Sequence, residues 1–132
     1  MGIYLNPGNK GFHEILQSEY VDKTGLIALV NKTVGTRQKL TCISRPRRFG
    51  KSYAAQMLCA YYDCSCDSHK YFEDKAIAQT EGYLVHLNQY HVINLDITIV
   101  ISAAQREGIS LTDAPNLMVD VIRTELRGLY PD

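Results

Sequence analysis

The chain has 132 residues, enough for one domain or for part of a larger one. Its 45% hydrophobic and 21% charged residues are those of a folded globular protein, and a formal net charge of zero gives no chain-wide attraction for nucleic acid or anionic lipid. No stretch approaches the roughly 18 uncharged apolar residues of a membrane span, and the N-terminus lacks the basic start and apolar run of a secretory signal. No membrane partner and a cytoplasmic location are therefore expected.

In chain order, the Gly-, Asn- and Pro-rich opening predicts an irregular arm over about residues 1–19. Asp22 is placed to cap a helix from about Lys23 to Lys32, with Leu26, Ile27 and Val30 on one face. Leu40-Thr41-Cys42-Ile43-Ser44 is short, apolar and β-branched and reads as a buried strand. From Gly50 to about Tyr62, Ala54, Met57, Leu58 and Tyr61 recur at helical spacing and are expected to face a core. Short helices follow at Tyr71 to Gln79 and Glu81 to Gln89. His91 to Thr98, extending towards Ile101, reads as a second strand. A last helix begins near Ser110 or Thr112, carries Pro115 in its first turn, and presents Met118, Val121, Ile122, Leu126 and Leu129.

Strands separated by helices imply an α/β fold with a parallel sheet flanked by helices. Two strands are too few for a sheet buried on both faces, so the expectation is a partial P-loop NTPase fold lacking its later strands. Residues 1–132 would then be the N-terminal portion of the domain. An open sheet edge would also invite self-association.

The four cysteines are Cys42, Cys59, Cys64 and Cys66. Cys42 and Cys59, in apolar surroundings, read as small buried hydrophobes. Cys64-Ser65-Cys66 with His69 has the ligand types of a zinc site but no second pair at zinc-finger spacing, and a reduced turn is the expectation. His13, His69, His86 and His91 pair with no recognisable nucleophile motif and are expected at structural or surface positions.

The chemistry concentrates in Arg45-Pro46-Arg47-Arg48-Phe49-Gly50-Lys51-Ser52. Its last three residues match the end of the phosphate-binding loop, between a predicted strand and a predicted helix. Arg45 stands where the pattern has its first glycine. In such a loop the backbone N–H groups of Arg47, Arg48, Phe49 and Gly50 surround phosphate oxygens at the positive end of a helix. Gly50 lets the backbone approach closely, Lys51 adds a charge at the β- and γ-phosphates, and the Ser52 hydroxyl ligates Mg²⁺. ATP with Mg²⁺ is the expected ligand. The same cluster of Arg45, Arg47, Arg48 and Lys51 also suits the phosphates of DNA or RNA, which would make the chain a nucleic-acid-binding or interaction module. Asp96, ending Val92-Ile93-Asn94-Leu95, has the outline of an acid that holds Mg²⁺ through water. Ile97 follows it, where ATPases of this broad type usually place the Glu that activates water.

Ser44-Arg45-Pro46-Arg47-Arg48-Phe49-Gly50-Lys51-Ser52 resembles the signature of the bacterial AAA-ATPase-like family. Tyr20-Val21-Asp22-Lys23-Thr24 and Tyr71-Phe72-Glu73 are similar to two further elements of that family. The resemblance spans about Gly11 to Asp96. It implies an ATPase module, often followed by a PD-(D/E)XK-type nuclease domain, whose acidic Walker-B strand would lie beyond Asp132. It also implies that Arg at the first loop position is normal.

Overall fold

A computed structural model describes residues 4–44 and 51–130. Its elements are α1 (Lys10–Leu16), α2 (Gly25–Asn31), α3 (Lys51–Tyr62), α4 (His69–Phe72), a 3₁₀ turn (Ala76–Gln79), α5 (Tyr83–His86), α6 (Ile97–Arg106) and α7 (Ala114–Leu129). Among the described residues there is no β-strand, so the expected parallel sheet and α/β fold give way to a helical assembly. Pairing among the described residues is limited to two isolated bridges, Leu5 with Ile93 and Asp63 with Tyr90.

The two strand expectations fail for different reasons. Over residues 39–44 the chain is irregular and exposed, with Leu40 at 92% exposure and Cys42 also on the surface, so Cys42 is not the buried hydrophobe expected. A strand exists only through ladder bonds to a neighbour, and no such neighbour occurs among the described residues. The second segment pairs briefly with the N-terminal arm: Asn6 N–H donates to Val92 O at 2.7 Å and Asn94 N–H to Tyr4 O at 2.8 Å. At Asp96 it turns into α6. The Asp96 carboxylate accepts from the N–H groups of Thr98 and Ile99, the bond pattern of an N-cap. Tertiary packing of Val100 and Ala104 then overrides the β-branched run from Ile97 to Ile101.

The arm is also more ordered than its punctuation suggests. Phe12, Ile15 and Leu16 follow helical spacing within α1, and Phe12 is almost wholly buried. The α2, α3 and α7 helices form close to where their apolar spacing put them. In α3 the stripe faces inward: Met57 and Tyr61 are buried, and Leu58 packs beside them.

These elements build two clusters. The larger gathers Phe12, Ile27, Met57, Tyr61, Phe72, Ile77 and Leu87 around ring contacts. Phe12 stacks on Phe72 at 5.0 Å between centroids, and Tyr61 meets Phe72 edge-on at 5.5 Å. Buried polar groups tie loops to this core. Asp63 accepts from Gly8 N–H at 2.6 Å and Ser65 N–H at 2.7 Å. Asn88, in the left-handed region at φ 55°, donates to the carbonyls of Ala60 and Asp63, satisfying the end of α3. The smaller cluster is the α6–α7 hairpin, which closes Val100, Ala104 and Ala114 against Tyr4. Among the described residues no helix is long and apolar enough to cross a membrane.

Candidate functional site

Six of the eight residues of the expected phosphate loop, Arg45 to Gly50, lie outside the described residues, so the expectations for Arg47, Arg48, Phe49 and Gly50 are not addressed by the geometry. Lys51 and Ser52 are described. They form the first turn of α3 and both are exposed, followed by Tyr53 at 59% exposure. The first N–H groups of a helix have no partner within it, and the helix dipole places its positive end there. That turn thus carries one ammonium and one hydroxyl, both open to solvent.

The far end of α3 is held firmly. Beyond its burial, Tyr61 donates its hydroxyl to Tyr83 O at 2.8 Å and accepts from Asn31 Nδ2 at 3.1 Å. Helix α1 lies directly along α3: a side chain at Gly11 would run into Gln56. Thus the exposed turn carrying Lys51 and Ser52 projects from a helix anchored three turns further on.

The Tyr20–Thr24 element acquires a structural role. Asp22 Oδ1 accepts from both the N–H and the hydroxyl of Thr24, at 2.8 and 2.6 Å, while Oδ2 accepts from Ala76 N–H at 2.8 Å. Thr24 Oγ1 in turn accepts from Ile77 N–H at 3.1 Å, a buried bond. The pair therefore fastens the start of α2 to the 3₁₀ turn. Desolvation alone pushes the Asp22 carboxyl up, but its hydrogen bonds from Thr24 and Ala76, with the charge of Lys75, outweigh it and hold the group below the usual carboxylate range. Asp22 is thus not the helix cap expected: Thr24 stands at the N-cap of α2, and Asp22 acts by holding Thr24 and Ala76. Tyr20 packs edge-on against Phe12 at 5.7 Å, and Phe72 of the second matched element fills the core.

Asp96 is found at the N-terminus of α6, in the cap described above, and does not end a strand; the Walker-B outline is absent. The cap bonds use Oδ1, from Thr98 at 2.9 Å and Ile99 at 3.3 Å. Lys51 and Ser52 belong to the helix of the larger cluster and Asp96 to that of the smaller.

The cysteine turn does not assemble as a metal site: among the described residues no three His, Cys, Asp or Glu side chains gather to hold an ion. His69 pairs with Asp67 at 2.7 Å. Cys66 points towards Asp63 O and Ser68, while Cys64 turns the other way, towards His91. Cys59 is buried as expected. Burial, with the Asp63 charge adding, pushes its thiol up to about 11. Sequence reading missed Asp63, Asn88 and the Cys64–His91 contact. The asparagine at a positive φ had a local signal, since Asn tolerates that conformation; the other two depend on residues 27 to 55 positions apart and had none.

Comparison with curated proteins and with solved structures returned no match. A family described as predicted AAA-ATPase does match, over residues 8–115, a span that takes in the Tyr20–Thr24 element, the Arg-rich loop, α3 and the buried Phe72. The chain belongs to this predicted AAA-ATPase family.

Proposed function

We propose that the chain binds ATP with Mg²⁺ through the turn that opens α3, as part of an ATPase. Lys51 contributes its ammonium to the terminal phosphates, Ser52 its hydroxyl to the metal, and Arg47 to Gly50 their backbone N–H groups. The observation that carries this reading is the placing of Lys51 and Ser52 on the exposed first turn of an anchored helix, inside the span that matches the family. Magnesium would supply charge neutralisation between phosphate oxygens; the protein's part is to hold and orient them. Asp96 enters as a carboxylate beside Ser52 at the metal only through Oδ2, because Oδ1 is engaged in the cap. No group in this set positions an attacking water, so the proposal is one of binding, with hydrolysis left to further residues of the ATPase.

Calorimetric titration of ATP with and without Mg²⁺ tests it. Binding should depend on the metal and fall at least about tenfold in Lys51→Ala, since a charge-assisted contact contributes roughly 1.5–3 kcal/mol. A folded chain that takes up no ATP, ADP or GTP overturns the reading. The rival use of the arginine cluster predicts a different pattern. Salt-sensitive DNA or RNA binding would survive Lys51→Ala and fall when Arg45, Arg47 and Arg48 are neutralised together.

A further inference from the structure

Helix α7 carries two apolar stripes. One, through Ala114, Leu117, Met118 and Val121, closes on α6 and Tyr4 in the smaller cluster. The other runs through Pro115, Val119, Ile122, Leu126 and Leu129, at alternating steps of four and three residues. Positions spaced in this way line up along a helix, and the repeat is the seam by which one helix packs along the length of another. Ile122 is half-buried, at the margin between the two stripes. Val119, Leu126 and Leu129 are 46%, 40% and 43% exposed, so the seam is open to solvent where the first stripe is closed.

The seam runs on into a groove. Pro115 also lines a cavity of about 230 Å³ between α6 and α7, whose walls include Ile97, Ile101, Leu111 and Met118. Ile97 and Leu111 are more than half exposed. Apolar surface thus extends from the start of α6 along most of α7, and a contiguous patch of that kind marks a face that another protein covers.

The charges beside the seam point to the occupant. Asp113, at the N-cap of α7, and Asp120 precede Arg123 and Arg127, while Glu125 is turned to the arm and accepts from Tyr4 and Leu5 N–H. A like helix laid parallel and in register would set acid on acid and arginine on arginine. Reversed, it sets acids against arginines, and the two helix dipoles oppose as well. We infer that α7 pairs antiparallel with α7 of a second copy of this chain, about a two-fold axis. Near-complete overlap of the two helices places Val119 against the partner's Ile122 and Leu126 against the partner's Pro115, each contact made twice. It also brings Arg123, which holds Asp120 of its own helix at 3.2 Å, within reach of the partner's Asp120. The covered strip is one helix of 16 residues and its flanking groove, so the dimer is a weak one that forms with rising concentration.

Sedimentation equilibrium of the intact chain across about 10–500 μM measures the association. The average mass should rise from monomer towards dimer and stop there. Val119→Glu and Leu126→Glu change exposed positions outside the smaller cluster. Each should weaken the dimer at least about tenfold, because an unpaired carboxylate is buried in the seam. Ile99→Glu is the reference: Ile99 is 50% exposed but stands outside both groove and seam. Its dimer constant should stay within about twofold of the parent's. Asp120→Arg should weaken the dimer, and adding Arg123→Asp should return it to within about threefold of the parent. Circular dichroism checks that each variant keeps its helix content. A chain that stays monomeric across the range, grows beyond a dimer, or loses association as strongly in Ile99→Glu overturns the inference. A charge-exchanged double variant no tighter than Asp120→Arg alone overturns the antiparallel pairing.

Discussion

The two halves of the molecule are held together by different means. Around α3 the core consists of large rings and long side chains at almost zero exposure: Phe12, Tyr61, Phe72, Met57, Ile27 and Ile77. Buried polar groups such as Thr24, Asp63 and Ser68 stitch the connecting loops onto it. The α6–α7 hairpin buries only Tyr4, Val100, Ala104 and Ala114, and leaves Ile97, Ile99, Leu111 and Val119 about half or more exposed. Burial dominates where many apolar atoms leave water, whereas a hairpin with a thin core depends in greater proportion on how its helix ends are closed. Glu125 reinforces that dependence from α7, accepting from the N–H groups of Tyr4 and Leu5, the latter at 2.8 Å.

The largest effect should come from breaking the ring core. Phe12→Ala removes a ring that touches both Phe72 and Tyr20 and should cost about 3–5 kcal/mol. The matching deletion in the hairpin, Val100→Ala, removes two methyl groups and should cost about 1–2 kcal/mol. Denaturant midpoints measure both. Hydrogen exchange separates them: Val100→Ala should speed exchange in α6 and α7 while α3 stays protected. Equal loss of protection in both halves would show that they unfold as one unit and that the contrast has no energetic meaning.

A smaller effect should follow at the far end of α6. Gly108 has φ 70°, its N–H donates to Gln105 O, and the next N–H, of Ile109, donates to Ala104 O at 2.8 Å. This is the paired closure in which a left-handed glycine ends a helix and the following apolar residue packs back onto it. An added Cβ would meet no atom within 4 Å, so Gly108→Ala tests backbone strain alone. The expected cost is about 1 kcal/mol, read as a lowered midpoint with faster exchange confined to the hairpin. A midpoint unchanged within error would mean that the closure contributes nothing.

These ends also explain which parts of the fold the sequence disclosed. The stripe Ala54, Met57, Leu58, Tyr61 and the run from Met118 to Leu129 repeat at helical spacing over several turns, and both formed helices. The α1 helix is masked in the sequence because the turn residues Asn6-Pro7-Gly8-Asn9 directly precede it and its apolar face, Phe12, Ile15 and Leu16, spans little more than one turn. At Ile97 to Ile101 five β-branched residues in succession outweighed, on paper, the one residue that decided the outcome, the Asp96 cap. For the candidate site the legible part was Gly50-Lys51-Ser52 as a motif and α3 as its helix. The Asp22–Thr24 fastening to residues 76 and 77 crosses more than fifty positions, and no local spacing encodes it.

Asp96 gives the smallest and most discriminating test, since one carboxylate is read both as a helix cap and as a magnesium contact. Asp96→Ala removes the acceptor for Thr98 and Ile99 and should cost about 1 kcal/mol, concentrated in α6. Asp96→Ser keeps a cap acceptor and deletes the charge, so its stability should fall within a few tenths of a kcal/mol of the parent chain. The same two variants titrated with ATP and Mg²⁺ then separate the roles. If the acid reaches the metal through Oδ2, the serine variant binds as weakly as the alanine variant despite its intact hairpin. If capping is its whole contribution, the serine variant binds as the parent does, and the proposed metal site is confined to Ser52 on α3 without help from the hairpin.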